Sequence, residues 1–135
     1  MILTSLTRFR DWGLLFLRVA LGAFYIYAHG WRKLAGGVHE WHQIGMAVRF
    51  VGIHFLYDFW GLMAALSETI GCALVILGFC FRPACMLLFI TLFVACAMHL
   101  GSGQGLKGAS EALELAIVFF SLLFIGPGKY SVDKS

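Results

Sequence analysis

The stretch from Phe59 to Leu100, FWGLMAALSETIGCALVILGFCFRPACMLLFITLFVACAMHL, decides the fold. It carries two charged residues, Glu68 and Arg82, and one proline, Pro83. A run this long and apolar is about twice the ~20 residues that cross a ~30 Å hydrocarbon core, so it reads as two transmembrane helices joined by a turn. Proline disfavours helix at the residue before it and suits the first turn of a new one. The expected helices are therefore about 59–81 and 83–100, with Arg82 at the turn.

Working outward, the apolar stretch of about 12–34 predicts a first crossing. Arg18 within it and its length argue against a cleaved leader, although Ala28-His29-Gly30 faintly resembles a small-x-small cleavage site. Downstream, Gly101-Ser102-Gly103-Gln104-Gly105 breaks the pattern, and a fourth crossing is expected over about 110–125, with Ser110 as N-cap and Gly126-Pro127-Gly128 as its stop. The longest connection, 35–58, mixes Trp41 and Phe50 with His39, Glu40, His42, Arg49 and His54. That mixture suits a short amphipathic or re-entrant segment at headgroup level, with a plain solvated loop as the alternative. The fold class is thus all-α: one integral membrane domain over 1–135, a four-helix bundle with an interfacial segment between its first two crossings.

Composition agrees. Hydrophobic residues make up 61% of the chain and charged residues 13%, about half the share usual in soluble domains. The formal charge of +3 is small and scattered, which sets nucleic acid aside and leaves the lipid bilayer as the first partner. The four cysteines, Cys72, Cys80, Cys85 and Cys96, form no CxxC pair and read as buried reduced thiols. Orientation follows from Arg8, Arg10, Arg82, Lys129 and Lys134 on the side of the termini against Arg32, Lys33, Arg49 and Lys107 on the other. The pair ahead of the first crossing is the influential one and predicts cytoplasmic termini.

The chemistry is expected among the ionisable residues at membrane depth: Arg18, His29, Glu68, His99, Glu111 and Glu114. Insertion scales put a central charge at about 2.5 to 3.5 kcal/mol, so such groups face the bundle interior, pair, or reach for the interface. At about 100° per residue, Gly22, Tyr25 and His29 lie within roughly 40° of Arg18 on one polar stripe. Glu68 shares its face with Gly61, Ala64, Gly71 and Cys72, small residues that admit a neighbouring helix. The economical pairing is Arg18 with Glu68, because a guanidinium cannot neutralise itself by losing its proton. The rival reading is that these charges only fix helix register. No HxxxH or ExxH spacing occurs within one helix, so no metal site is assigned; His39 and His42 read as solvated interfacial residues.

At these residues the sequence resembles the DoxX family of small bacterial and archaeal membrane proteins. The resemblance runs through Leu17-Arg18, Ala20-Leu21-Gly22 and His29-Gly30-Trp31-Arg32-Lys33-Leu34, then Ser67-Glu68-Thr69-Ile70-Gly71, the Gly78 to Arg82 turn and His99. It closes on Gly126-Pro127-Gly128-Lys129-Tyr130-Ser131-Val132-Asp133, the most specific part, while Cys72 departs from the Gly expected there. The resemblance implies a four-helix bundle in the inner membrane and, for some relatives, quinone-linked oxidoreductase assemblies, including those of thiosulfate oxidation and redox stress. Carried onto this chain, it points to Arg18, His29, Lys33, Glu68, Arg82 and His99, with Glu111 or Glu114 as the fourth-helix acid.

The resulting expectation is a quinone-associated redox subunit with a polar intramembrane site. Glu68, His29 and His99 would transfer protons; Arg18, Tyr25, Lys33 and Glu114 would bind the substrate. Electrons would come from redox partner proteins or the quinone pool, since the chain carries no evident flavin or haem motif. Two other readings compete: a carrier for a small solute or ion, aided by homo-oligomer formation, and a non-catalytic assembly or scaffold protein.

Overall fold

The computed structural model describes residues 3–133. The first crossing, α1, runs from Thr4 to Ala35. It opens with a 3-10 turn over Thr4–Phe9, is α-helical over Arg10–Tyr25, widens into a π turn over Ile26–Gly30 and resumes as α-helix over Trp31–Ala35. A short helix α2, Gly37–Gly45, continues into a 3-10 turn over Met46–Val51. Three long helices follow: α3 (Tyr57–Leu77), α4 (Phe81–Gly101) and α5 (Gly105–Ile125). Helices α1, α3, α4 and α5 are each long and apolar enough to cross a membrane, and the described residues contain no strand. The protein is an all-α, multi-pass membrane bundle, and the long connection is mostly helical rather than a loop.

Four boundaries differ from the sequence-based expectation. Helix α1 begins at Thr4 rather than at about 12, because a 3-10 turn over Thr4–Phe9 runs straight into the α-helix at Arg10. Helix α3 stops at Leu77 because Gly78 adopts φ 69° and closes a left-handed cap, with Phe79 N–H donating to the Leu74 carbonyl at 3.0 Å. Helix α4 starts at Phe81, with Pro83 in its first turn, where no N–H is needed. Helix α5 starts at Gly105, so Ser110 is not its N-cap; the Ser110 hydroxyl instead donates back to the Lys107 carbonyl at 2.8 Å. Lys134, counted in the orientation argument, lies outside the described residues.

Packing runs α1 on α3, α3 on α4 and α4 on α5, with α2 laid along α3. The core is built from Cys72 and Val75 of α3, Phe81, Cys85 and Leu88 of α4, and Phe119 and Leu122 of α5. All four cysteines are free thiols, but Cys72 and Cys85 alone are buried: Cys96 is half-buried and Cys80, in the turn between α3 and α4, is exposed. Helix α2 approaches α3 through two glycines: a Cβ on Gly45 would fall on the carbonyl of Tyr57, and one on Gly61 on the carbonyl of Trp41. Backbone lies on backbone there, and Trp41 Nε1 secures the contact by donating to the Lys33 carbonyl at 3.1 Å.

The segment after α5 folds back and fastens the bundle. Val132 N–H donates to the Leu77 carbonyl at 3.1 Å and Asp133 N–H to the Gly78 carbonyl at 2.8 Å. The Asp133 carboxylate accepts from Cys80 N–H at 3.0 Å and Phe81 N–H at 2.8 Å, which caps the start of α4. Lys129 N–H donates to Asp11 at 3.1 Å, and the Trp12 and Tyr130 rings lie 4.6 Å apart. Asp133→Ala removes that cap and is expected to cost about 1 kcal/mol, with the Asn variant retaining most of the stability. Thermal melts of the three proteins in one detergent check this, and an unshifted Ala variant would show that the cap contributes nothing.

Candidate functional site

Arg18 is not at a ligand site. Its side chain is 1% exposed and spent on four carbonyls: Nε donates to Val75 at 3.0 Å, one terminal nitrogen to Pro127 at 2.9 Å and Tyr130 at 2.8 Å, and the other to Ile76 at 2.8 Å. The guanidinium therefore neutralises the carbonyl end of α3 and grips the returning tail in one arrangement. The expected Arg18–Glu68 pair does not form. A carbonyl set satisfies a guanidinium as well as a carboxylate does, and nothing in residue spacing distinguishes the two.

Glu68, 2% exposed, is instead held by α1. Lys33 Nζ donates to Oε1 at 2.8 Å and lies 2.8 Å from Oε2, and the Tyr25 hydroxyl donates to Oε1 at 3.1 Å. Tyr25 and Lys33 reach the same carboxylate because of the π turn between them. Eight residues of uninterrupted α-helix turn through about 800°, which would leave Lys33 about 80° from Tyr25; one extra residue in the turn removes about 100° and brings it back to within roughly 20°.

Beside this pair lies a cavity of about 480 Å³ bounded by α2 with its 3-10 extension, α3 and α4. Its polar end holds Lys33, Glu68, Ser67 and Thr91, with Glu40 and Gln43 at the α2 side. Ser67 and Thr91 hydroxyls are 3.0 Å apart, and Thr91 also donates to the Leu87 carbonyl at 3.0 Å. The rest is apolar: Ala47, Val48, Val51, Ile53, Ala64, Val94 and Met98. Three further lining residues, Met63, Leu87 and Ile90, are exposed at 37, 47 and 51%, so the cavity opens sideways between α3 and α4, at the level of the membrane-spanning segments. One buried donor on its lining, the Trp60 indole N–H, has no hydrogen bond, whereas Glu68 Oε2 is met by the Lys33 ammonium. In a protein interior such a donor calls for a partner.

The other expected site residues do not join this cavity. His29 Nε2 lies 2.7 Å from Glu111 Oε1 across the α1–α5 side, its ring 5.0 Å from that of Tyr25. His99 Nδ1 lies 2.7 Å from Gln104 at the α4–α5 turn. Glu114 is exposed on α5, and Arg82 donates to the Leu123 carbonyl at 3.1 Å. His39 and His42 engage Gln43 and Asp58 at the surface. Of the seven residues assigned to catalysis or binding from sequence, Tyr25, Lys33 and Glu68 converge, and Arg18, His29, His99 and Glu114 do not. Trp60, Ser67 and Thr91 were missed as site residues. Ser67 and Thr91 stand out afterwards as hydroxyls on otherwise apolar faces.

Among known proteins, the DoxX family model matches residues 13–100, a span that takes in most of α1, all of α2 and α3, nearly all of α4, the cavity and the Lys33–Glu68 pair. No curated protein and no solved structure matches the chain.

Proposed function

The chain belongs to the DoxX family, and on that premise we propose that it is a membrane subunit that binds a lipid-soluble quinone in the α2–α3–α4 cavity and serves a redox partner. The observation that carries this reading is the sideways opening. The cavity presents Leu87 and Ile90 toward lipid, while its polar lining is confined to the Lys33–Glu68 pair, Ser67, Thr91 and the exposed Glu40 and Gln43 of α2. A ring with an isoprenoid tail matches that polarity, tail outward and head inward.

The unsatisfied donor fits the head group. The Trp60 indole N–H is a free donor for a ring carbonyl, and Lys33 supplies a second, charged donor. When bound, a quinone supplies paired electron and proton chemistry at its two ring oxygens. Lys33 and Trp60 orient the ring, Glu68 holds or yields a proton beside it, Tyr25 keeps the carboxylate aimed, and the apolar walls exclude water. Electrons come from the partner. The reading sets both termini on the cytoplasmic side of a bacterial or archaeal inner membrane, supported by Arg8 and Arg10 ahead of α1.

The test is titration of decylubiquinone into the purified protein in lipid nanodiscs, followed by tryptophan fluorescence. Wild type is expected to bind, and Glu68→Gln to bind about tenfold more weakly or worse, because the replacement no longer holds the Lys33 ammonium by charge. Equal binding by a folded Glu68→Gln variant, or none by wild type, would overturn the proposal; solute flux through wild-type liposomes would then favour a carrier.

A further inference from the structure

We infer that the outer face of α5 docks a second membrane protein whose transmembrane helix carries a basic side chain, with Glu114 as the group it recognises. Glu114 is the tenth residue of a helix that begins at Gly105 and ends at Ile125. At 1.5 Å per residue it lies about 14 Å from the start and about 17 Å from the other end, at mid-membrane. Its side chain is exposed, and it makes no hydrogen bond or ion pair to the described residues. A carboxylate is too short to reach either interface from that depth. The residues that follow it on the same stripe, Ile117, Ser121 and Phe124, are also exposed. Glu111, one turn before it, is exposed too but is spent on His29, so from Glu114 to the Ile125 end the face suits lipid or a helix, with Glu114 as its unpaired acid.

Charge complementarity identifies the occupant. An acid at this depth is stabilised by an opposite charge or a strong donor on the covering helix. A second copy of this chain does not offer one at that depth: the basic groups deep in its spans are already engaged, and Arg10, Arg32 and Lys107, which make no ion pair to the described residues, lie toward the ends of theirs. Arg18 is held by four carbonyls, Lys33 by Glu68 and His29 by Glu111. Arg82 lies on the first turn of α4, at the end of the membrane, and faces the Leu123 carbonyl. The complementary cation therefore comes from a different polypeptide. This inference stands apart from the quinone reading, since Glu114 does not line the cavity.

The test uses donor-labelled full-length protein in phosphatidylcholine liposomes and two acceptor-labelled transmembrane peptides of leucine and alanine, one with a central lysine and one with leucine there. Energy transfer is expected to report association about tenfold tighter for the lysine peptide, with that preference abolished by Glu114→Leu and weakened by Glu114→Gln. The Leu variant faces lipid and should melt no lower than wild type, so misfolding will not mimic the result. Equal association of the two peptides, or a lysine preference that survives Glu114→Leu, would overturn the inference. So would Glu114-dependent energy transfer between differently labelled copies of the protein alone, which would assign the face to self-association.

Discussion

Arg18→Gln will leave the protein largely unfolded or aggregated in detergent. Glutamine can replace one of the four hydrogen bonds that the guanidinium makes, so the carbonyls of α3 and of the returning tail lose their donor inside the protein. Each buried carbonyl stripped of its partner costs about 1–3 kcal/mol, and the expected loss is about 3 kcal/mol or more. Arg18→Lys separates charge from geometry. It keeps the cation but presents a single nitrogen, which cannot span Nε and two terminal nitrogens pointing at Val75, Ile76, Pro127 and Tyr130. Fluorescence-detected size exclusion after a temperature ramp will read both variants. A lysine variant that melts with wild type would show that only the charge matters and that the fork is not needed.

Gly61→Ala is the second large effect. The new methyl meets the main chain of Trp41, so no rotamer change relieves it and α2 must lift from α3. Ordinary overpacking costs about 1–3 kcal/mol, and a clash with backbone belongs at or beyond the top of that range. The lifted helix also withdraws the Trp41 bond from the Lys33 carbonyl, so both stability and decylubiquinone binding should fall. Gly45→Ala should behave alike, because its methyl meets the Tyr57 carbonyl. Gly13→Ala is the control: nothing lies within 4 Å of the added atom, and the change should stabilise α1 by up to about 1 kcal/mol. Melting temperatures that do not separate Gly61→Ala from Gly13→Ala would contradict the packing described for α2.

The four crossings were legible because hydropathy and proline spacing are local signals, and Pro83 alone divides the long central run. The family was legible in the polar residues of α1 and α3, and its model matches residues 13–100. What the sequence hid was which polar residues meet. Helical periodicity set Arg18, Tyr25 and His29 on one stripe, yet a stripe along a tilted helix meets different neighbours at different depths. Arg18 meets the end of α3, Tyr25 meets Glu68, and His29 meets Glu111. The π turn over Ile26–Gly30, which brings Lys33 round to Glu68, has no propensity signature. The composition of 35–58 left an amphipathic or re-entrant segment and a solvated loop both open, and the role of α2 as a cavity wall depends on the Gly45 and Gly61 contact, a long-range fact.

The fastening of Arg18 by Pro127 and Tyr130 sets an order on biosynthesis. The guanidinium enters the membrane with the first helix, while the carbonyls that complete its coordination are made about 110 residues later, on the order of ten seconds at ~5–20 residues per second. Through that interval the nascent bundle carries a cation short of two of its four carbonyls. A chain broken off before Pro127 would keep that deficit permanently, so the last residues to be made complete the coordination of one of the first to enter the membrane.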